Sequence, residues 1–275
     1  MSDGLQRLRS ALERLNLRDN IVFVHSSWAA LSHLGESWKP VIELLCRAVG
    51  GGGTLVMPAY PMRALSQTHL ELHPFFDCRR TPSQAGLLSE IFRRLSQVRR
   101  SLHPTHSVAA WGARAAELTT GHEHSPTPFD ESSPFQKMYE GEAMVLNLGV
   151  RRMTFRHLAD HLIQDKLPHS VYADQAIRVR LIDAMGVEKW MEARGHNPLV
   201  TCNHEVVLDL MRREGAKMPP RPAHRMGGNE AGTLCQEVDG ILLESIPVRP
   251  YVELYHRCYR EGKLQFFLRN GAQAR

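Results

Sequence analysis

Apolar residues near the start of the chain recur at helical spacing. Leu5, Leu8, Ala11, Leu12 and Leu15 form one stripe with charges between them, which predicts an amphipathic helix over residues 5–17. Asn20 then leads into IVFVHSS, a short unbroken apolar run of strand type that ends on His25, Ser26 and Ser27. Helical periodicity returns over residues 40–49, with Pro40 in the first turn and Gly50 as the stop. TLVMPAY, after the glycine run at 50–53, reads as a second buried strand. A helix is predicted over residues 82–95. Thr81 stands at its N-cap, Pro82 in its first turn, and Leu87, Leu88, Ile91, Phe92 and Leu95 form one face. Strands follow at 107–111 and 143–150, with helices at 134–139 and 154–162.

Strands alternating with helices over the first 165 residues predict an α/β fold, a layered sheet flanked by helices, with the strand order open. Past His169 the pattern changes. IRVRLID and KLQFFLR read as strands, residues 205–213 and 248–259 as helices, and 219–222 as a loop. A subdomain boundary near 165–175 fits that change. No Gly/Ser-rich linker marks it, so the expectation is a single domain over 1–275. No stretch approaches the roughly 18 apolar residues of a membrane span, and the charged N-terminus has no apolar leader core. The expected compartment is the cytoplasm.

Composition narrows the chemistry. The 275 residues are 43% hydrophobic and 23% charged, an ordinary globular balance. Five scattered cysteines without a CxxC argue for free thiols. The net charge of +5 comes with arginine doublets such as Arg79-Arg80, Arg93-Arg94 and Arg99-Arg100, which suits an anionic ligand with a few phosphates. No basic tail or aromatic-interleaved motif accompanies them, so no nucleic-acid partner is expected. The less usual feature is the 15 histidines.

Standard signatures are missing. There is no G-x-S-x-G, and the glycine run at 50–53 precedes a strand without a following Lys-Ser/Thr, so a tight turn accounts for it. GGNEAG at 227–232 is read as a turn for want of a leading strand. RRSLHPTHSVAAW is denser: Arg100, Ser101, His103, His106 and Ser107 crowd before an apolar strand. A ligand site at a strand end and a turn whose histidines bind backbone are equally open readings there. In TFRHLADHLIQD, His157 and Asp160 stand at i and i+3 on one helix face. A carboxylate in that place can fix the tautomer of the ring and leave the other nitrogen free as a base. His157, His161 and Asp165 at i, i+4 and i+8 form the alternative, a metal-dependent hydrolase site, though without the Glu of H-E-x-x-H.

With these segments in view, the sequence resembles the aminoglycoside 3-N-acetyltransferase family. VHSSWAALSHLG is similar to the family's V-H-S-S element, and VGGGGTLVMPAY to its V-G-x-x-G-T-x-x-M-P strand. FDCRRTPSQAGLLSEIFRR, RRSLHPTHSVAAWG, SPFQKMYEGEAMVLNLGV and TFRHLAD match four further blocks in order, while the last 100 residues match only loosely. The resemblance implies a fold distinct from the Gcn5-related one, and acetyl transfer from acetyl-CoA to an amine without a metal. It implies His157 as general base and Asp160, where the family has Glu, as its orienting partner. His25, Ser26, Ser27, Arg100, Ser101, His103 and Ser107 would hold CoA, and Asp77 and His106 would face the acceptor.

Asp160 is one methylene shorter than the family's Glu, Met153 replaces a usually polar residue, and Arg156 sits beside the base. These departures keep a non-catalytic CoA-binding relative as a further alternative. The matched blocks are rich in arginine and offer few acids, mainly Asp77, Glu90, Asp130 and Glu131, which predicts an acceptor less cationic than an aminoglycoside. The expected partners are a small amine and CoA, with a homodimer left open.

Overall fold

The apolar run after Asn20 forms strand β1 (Ile21–Ser26) in the middle of a seven-stranded sheet. The computed structural model describes residues 2–34, 37–63, 65–214 and 234–269. β1 runs parallel to β2 (Thr54–Pro58) on one side and to β6 (Met144–Leu148) on the other. β5 (Val108–Gly112) and β4 (Arg99–Arg100) continue antiparallel beyond β2. On the other edge β11 (Ile241–Pro247) and β10 (Leu234–Val238) extend the sheet beyond β6, also antiparallel. β3 (Phe75–Asp77), β7 (Ile177–Ile182) and β8 (Glu188–Ala193) make a smaller sheet, and β9 (Val200–Cys202) pairs with β12 (Phe266–Leu268).

IVFV is apolar throughout because β1 is covered on both faces. Val22 and Val24 pack with Leu8 and Leu12 of α1 (Asp3–Arg14), Leu45 of α3 (Trp38–Val49) and Phe92 of α5 (Leu87–Phe92). Ile21 and Phe23 point the other way. They meet Phe135 of α7 (Pro134–Glu140), Phe155 and Leu158 of α8 (Phe155–Leu162), and Tyr251 and Tyr255 of α10 (Val248–Arg260). The remaining helices are α2 (Trp28–Leu31), α4 (Ser66–Leu72), α6 (Ala115–Thr119) and α9 (Glu205–Glu214). The molecule is thus a mixed sheet between two helical layers, as the alternation predicted.

Two local readings need correction. The helix predicted over 82–95 covers only Leu87–Phe92. The Glu90 carboxylate takes the Ser83 N–H at 2.6 Å, Gln84 N–H goes to the Tyr60 carbonyl at 2.6 Å, and Gly86 has φ of 117°, outside the helical region. Thr81 does not cap it: its hydroxyl accepts the Asp77 N–H at 2.8 Å. The hairpin joining β10 and β11 through Asp239 and Gly240, both at positive φ, is also absent from the predicted elements, although Asp-Gly is a strong hairpin signal. The loop at 219–222, the turn at 227–232 and Gly35 of the first motif block lie outside the described residues.

Candidate active site

Ligand sites in α/β sheets gather where parallel strands end at their carboxyl edge. Here the three parallel strands end on chemistry. β1 ends on His25 and Ser26, β2 is followed by Tyr60, and β6 leads through Thr154 into α8 with His157 and Asp160. Thr154 joins these ends, its hydroxyl lying 3.2 Å from His25 Nε2 and 3.4 Å from the Tyr60 hydroxyl. Burial pushes the His25 imidazole down to about 3, and Arg152 adds to the effect.

The predicted pair on α8 is in place. His157 Nδ1 lies 3.7 Å from Asp160 Oδ2, and the His157 side chain keeps 23% exposure against 7% for Asp160. The longer reach expected of Glu is replaced by support from behind. The Tyr255 hydroxyl on α10 donates to Asp160 Oδ1, and the buried Cys202 thiol lies 3.4 Å from the same phenol oxygen. The phenol has one proton, already given to Asp160, so the thiol is the donor to Tyr255. Burial raises the Asp160 carboxyl above its usual range, and the Tyr255 hydrogen bond works against that rise. His157 is held well below the ordinary imidazole value, first by burial, then by Arg156 and His204. Met153, a departure from the family pattern, is a buried core residue.

The crowded block at 99–112 divides. His106 joins the site, its ring 5.0 Å from Tyr60 and 5.2 Å from Phe129, with Nδ1 3.0 Å from the Thr105 hydroxyl. Ser101, His103 and Ser107 turn inward. Ser101 accepts the Val108 N–H at 2.9 Å and meets His122 Nδ1 at 2.9 Å, while His103 Nδ1 accepts the N–H groups of Thr105 and His106, both at 3.2 Å. The Ser107 hydroxyl donates to the Ser101 carbonyl at 2.7 Å.

Arg100 is likewise committed to the protein. Its guanidinium donates to the carbonyls of Cys78, Thr81 and Ala59 at 3.1, 2.5 and 2.7 Å and to the Ser107 hydroxyl at 3.0 Å, while stacking over Phe76. It ties three segments together rather than presenting its charge to a phosphate. Arg100→Ala is therefore expected to cost about 3 kcal/mol of stability, read by urea denaturation, with a smaller effect on CoA affinity measured by calorimetry. Asp77 has a comparable internal task, its Oδ1 accepting the N–H groups of Arg79 and Arg80 at 2.9 Å each. Ser27 caps α2 through Ala30 N–H at 3.4 Å.

The alternative metal trio does not assemble. His161 points away from His157, with Nδ1 2.9 Å from the Tyr172 hydroxyl and Nε2 3.6 Å from Asp130. Among the described residues no three His, Cys, Asp or Glu side chains converge on a metal position, and no helix is long and apolar enough to cross a membrane.

Several site residues escaped sequence reading. Tyr60 had a usable signal, since it directly follows the MPA end of a parallel strand. His196 and Tyr255 had none. His196 stands with its ring centre 4.1 Å from that of His157, and it comes from a segment without a motif. A cleft of about 480 Å³ opens beside the cluster, lined by Pro126, Thr127, Asp130, Ala176, Glu192 and Arg194. Two acids and one arginine therefore line it, and Glu192 lies outside every motif block.

Comparison with known proteins gives this geometry a context. Aminoglycoside N(3)-acetyltransferase IV of Salmonella sp is 33% identical over 155 residues, an alignment spanning 55% of this chain and 55% of that protein. The crystal structure of aminoglycoside acetyltransferase AAC(3)-Xa shares the fold, with a TM-score of 0.72 and 23% identity over 94% of this chain and 92% of that one. AAC-IIIb in its binary complex with CoASH superimposes with a TM-score of 0.69 at 19% identity, covering 94% of this chain and 97% of that one. The family model for aminoglycoside 3-N-acetyltransferase matches residues 23–218, well past the last motif block, and so the chain belongs to the aminoglycoside 3-N-acetyltransferase family.

Proposed function

We propose that this protein transfers the acetyl group of acetyl-CoA to an amine of an aminoglycoside, with His157 as general base. The observation that carries the reading is the His157–Asp160 pair at the carboxyl ends of three parallel strands, in a chain of this family. An ammonium group has no lone pair to attack with, so the acceptor must first lose a proton. His157, unprotonated at neutral pH because it is buried, takes that proton on Nε2, while its Nδ1–H faces Asp160. The same proton is then available for the departing sulfur, so no net charge accumulates on the protein.

The pantetheine arm of the donor fits along Ser26 and Gly86. A Cβ at Gly86 would have only the Ser26 carbonyl within 4 Å, at 3.8 Å, so the backbone there is not crowded. Six cations line the neighbouring cleft of about 540 Å³; Arg100 is bonded to carbonyls and Arg93, Arg94 and Lys189 are paired with carboxylates, so Arg79 and Arg99 are assigned to the phosphates. The acceptor lies on the other side, at Asp130 and Glu192. Glu192, outside the motif blocks, joins Asp130 against the single Arg194, and an acid-weighted lining of this kind suits a polyamine sugar better than the weakly cationic acceptor expected from the motif blocks.

The test is thiol release from acetyl-CoA with gentamicin, kanamycin and glucosamine as acceptors. The polyamino compounds are expected to exceed glucosamine at least tenfold in kcat/KM. CoA binding by calorimetry without turnover on any amine would instead favour the non-catalytic relative.

A further inference from the structure

His196 belongs to no motif block, yet separate segments converge to fix it. Its N–H donates to the Ser66 hydroxyl oxygen at 2.7 Å, and the same oxygen lies 3.2 Å from its Nδ1. Ser66 opens α4, and residue 172 bridges the backbone of His196 from the other side. The chain passes this close to α4 because residue 195 is glycine. A Cβ there would stand 2.1 Å from the Gln67 nitrogen, and the Gly195 N–H donates to Gln67 Oε1 at 2.9 Å. Ser66 Oγ thus holds both the backbone and Nδ1 of His196, which fixes where the ring stands and leaves Nε2 as its free end.

That Nε2 is buried without a hydrogen-bond partner among the described residues, and so is His157 Nδ1. Buried polar atoms are normally paired, and two orphans on adjoining rings mark a place organised for something other than packing. His157 needs a support of this kind. Rotation about the bond to an imidazole ring is soft, and Asp160 at 3.7 Å is too distant to hold the ring in the resting state. Phe129 lies along one side, its centre 6.0 Å away and nearly parallel, and His196 crowds the ring at 4.1 Å, tilted by 49°.

We propose that His196 is a positioning residue for the His157 base, a fixed second imidazole that holds the first one turned toward Asp160. The inference rests on the reading of His157 as base. In the full-length protein with gentamicin as acceptor, His196→Ala is expected to lower kcat about tenfold while the KM for acetyl-CoA stays within about twofold. Ser66→Ala leaves the ring present but frees its orientation, and it is expected to lower kcat at least threefold by the same route. It also keeps the test open if His196→Ala folds poorly. Thermal melting is recorded for each variant, and kcat is referred to folded protein. Unchanged kcat in both variants overturns the proposal, as does a loss that vanishes after correction for folded protein. If His157→Ala is inactive while His196→Ala is fully active, only the positioning role fails. If His157→Ala retains full turnover, the base assignment itself fails.

Discussion

Replacing His157 by alanine is expected to cut turnover at least 10²-fold while leaving CoA affinity near its original value. The expectation follows from where the ring sits and what it touches. It is a partly exposed member of a histidine cluster, backed by Asp160, Tyr255 and Cys202 in a line leading into the core. Burial holds it in the unprotonated form that a base requires, and Asp160 faces the nitrogen on which the imidazolium charge would fall. General-base catalysis by a placed side chain is worth about 10²–10⁴ in rate, and the alanine variant forfeits that factor. The groups proposed to hold CoA lie at the β1 end and beyond, so calorimetric titration with CoA separates the two effects. Full activity in the variant would move the base to His106, whose imidazole faces Tyr60 and Phe129.

What was legible in the sequence follows from how local each signal is. β1 and α8 were readable because an unbroken apolar run and an i, i+3 pair are complete within ten residues. The helix over 82–95 was overread because periodicity cannot register that the Glu90 carboxylate captures the Ser83 N–H. The resemblance puts Arg100 on CoA, and the sequence around it looks the same whether the guanidinium points outward or, as here, into three carbonyls. Tyr255 could be placed on a buried helix face, but whether its hydroxyl meets a carboxylate depends on a residue 95 positions away. Glu192 and His196 come from the loosely matching C-terminal part, so the acids lining the 480 Å³ cleft and the ring beside His157 were invisible together. The chemistry was legible where it is carried by one segment and hidden where it is assembled from several.

The histidine content itself predicts a second large effect, on stability. His25, His103, His106 and His122 are all buried, with exposures of 8, 0, 4 and 0%. Burial holds each below the ordinary imidazole value, His25 and His103 at about 3 and the other two in the same direction. His103 and His122 lie stacked with ring centres 4.3 Å apart, so neither can take a proton without facing the other. The unfolded chain binds protons near pH 6.5, whereas the folded one does not until far lower. Stability is therefore intact above 6.5 and is lost as the pH falls from 6.5 toward the depressed folded values. His25 and His103, with folded values of about 3, each remove about 1.4 kcal/mol per pH unit in that window, about 4 kcal/mol together by pH 5, and His106 and His122 act in the same direction. Asp160, raised by burial, works in the opposite direction but is a single group. Against a total stability of about 5–15 kcal/mol for a folded protein, cooperative unfolding is expected near pH 5, before most carboxylates titrate. Urea midpoints between pH 7.5 and 5, followed by circular dichroism, measure it. A midpoint that does not move would mean that these rings accept protons in place, and the buried network joining Ser101, His122 and Pro128 would then have to open without unfolding the rest.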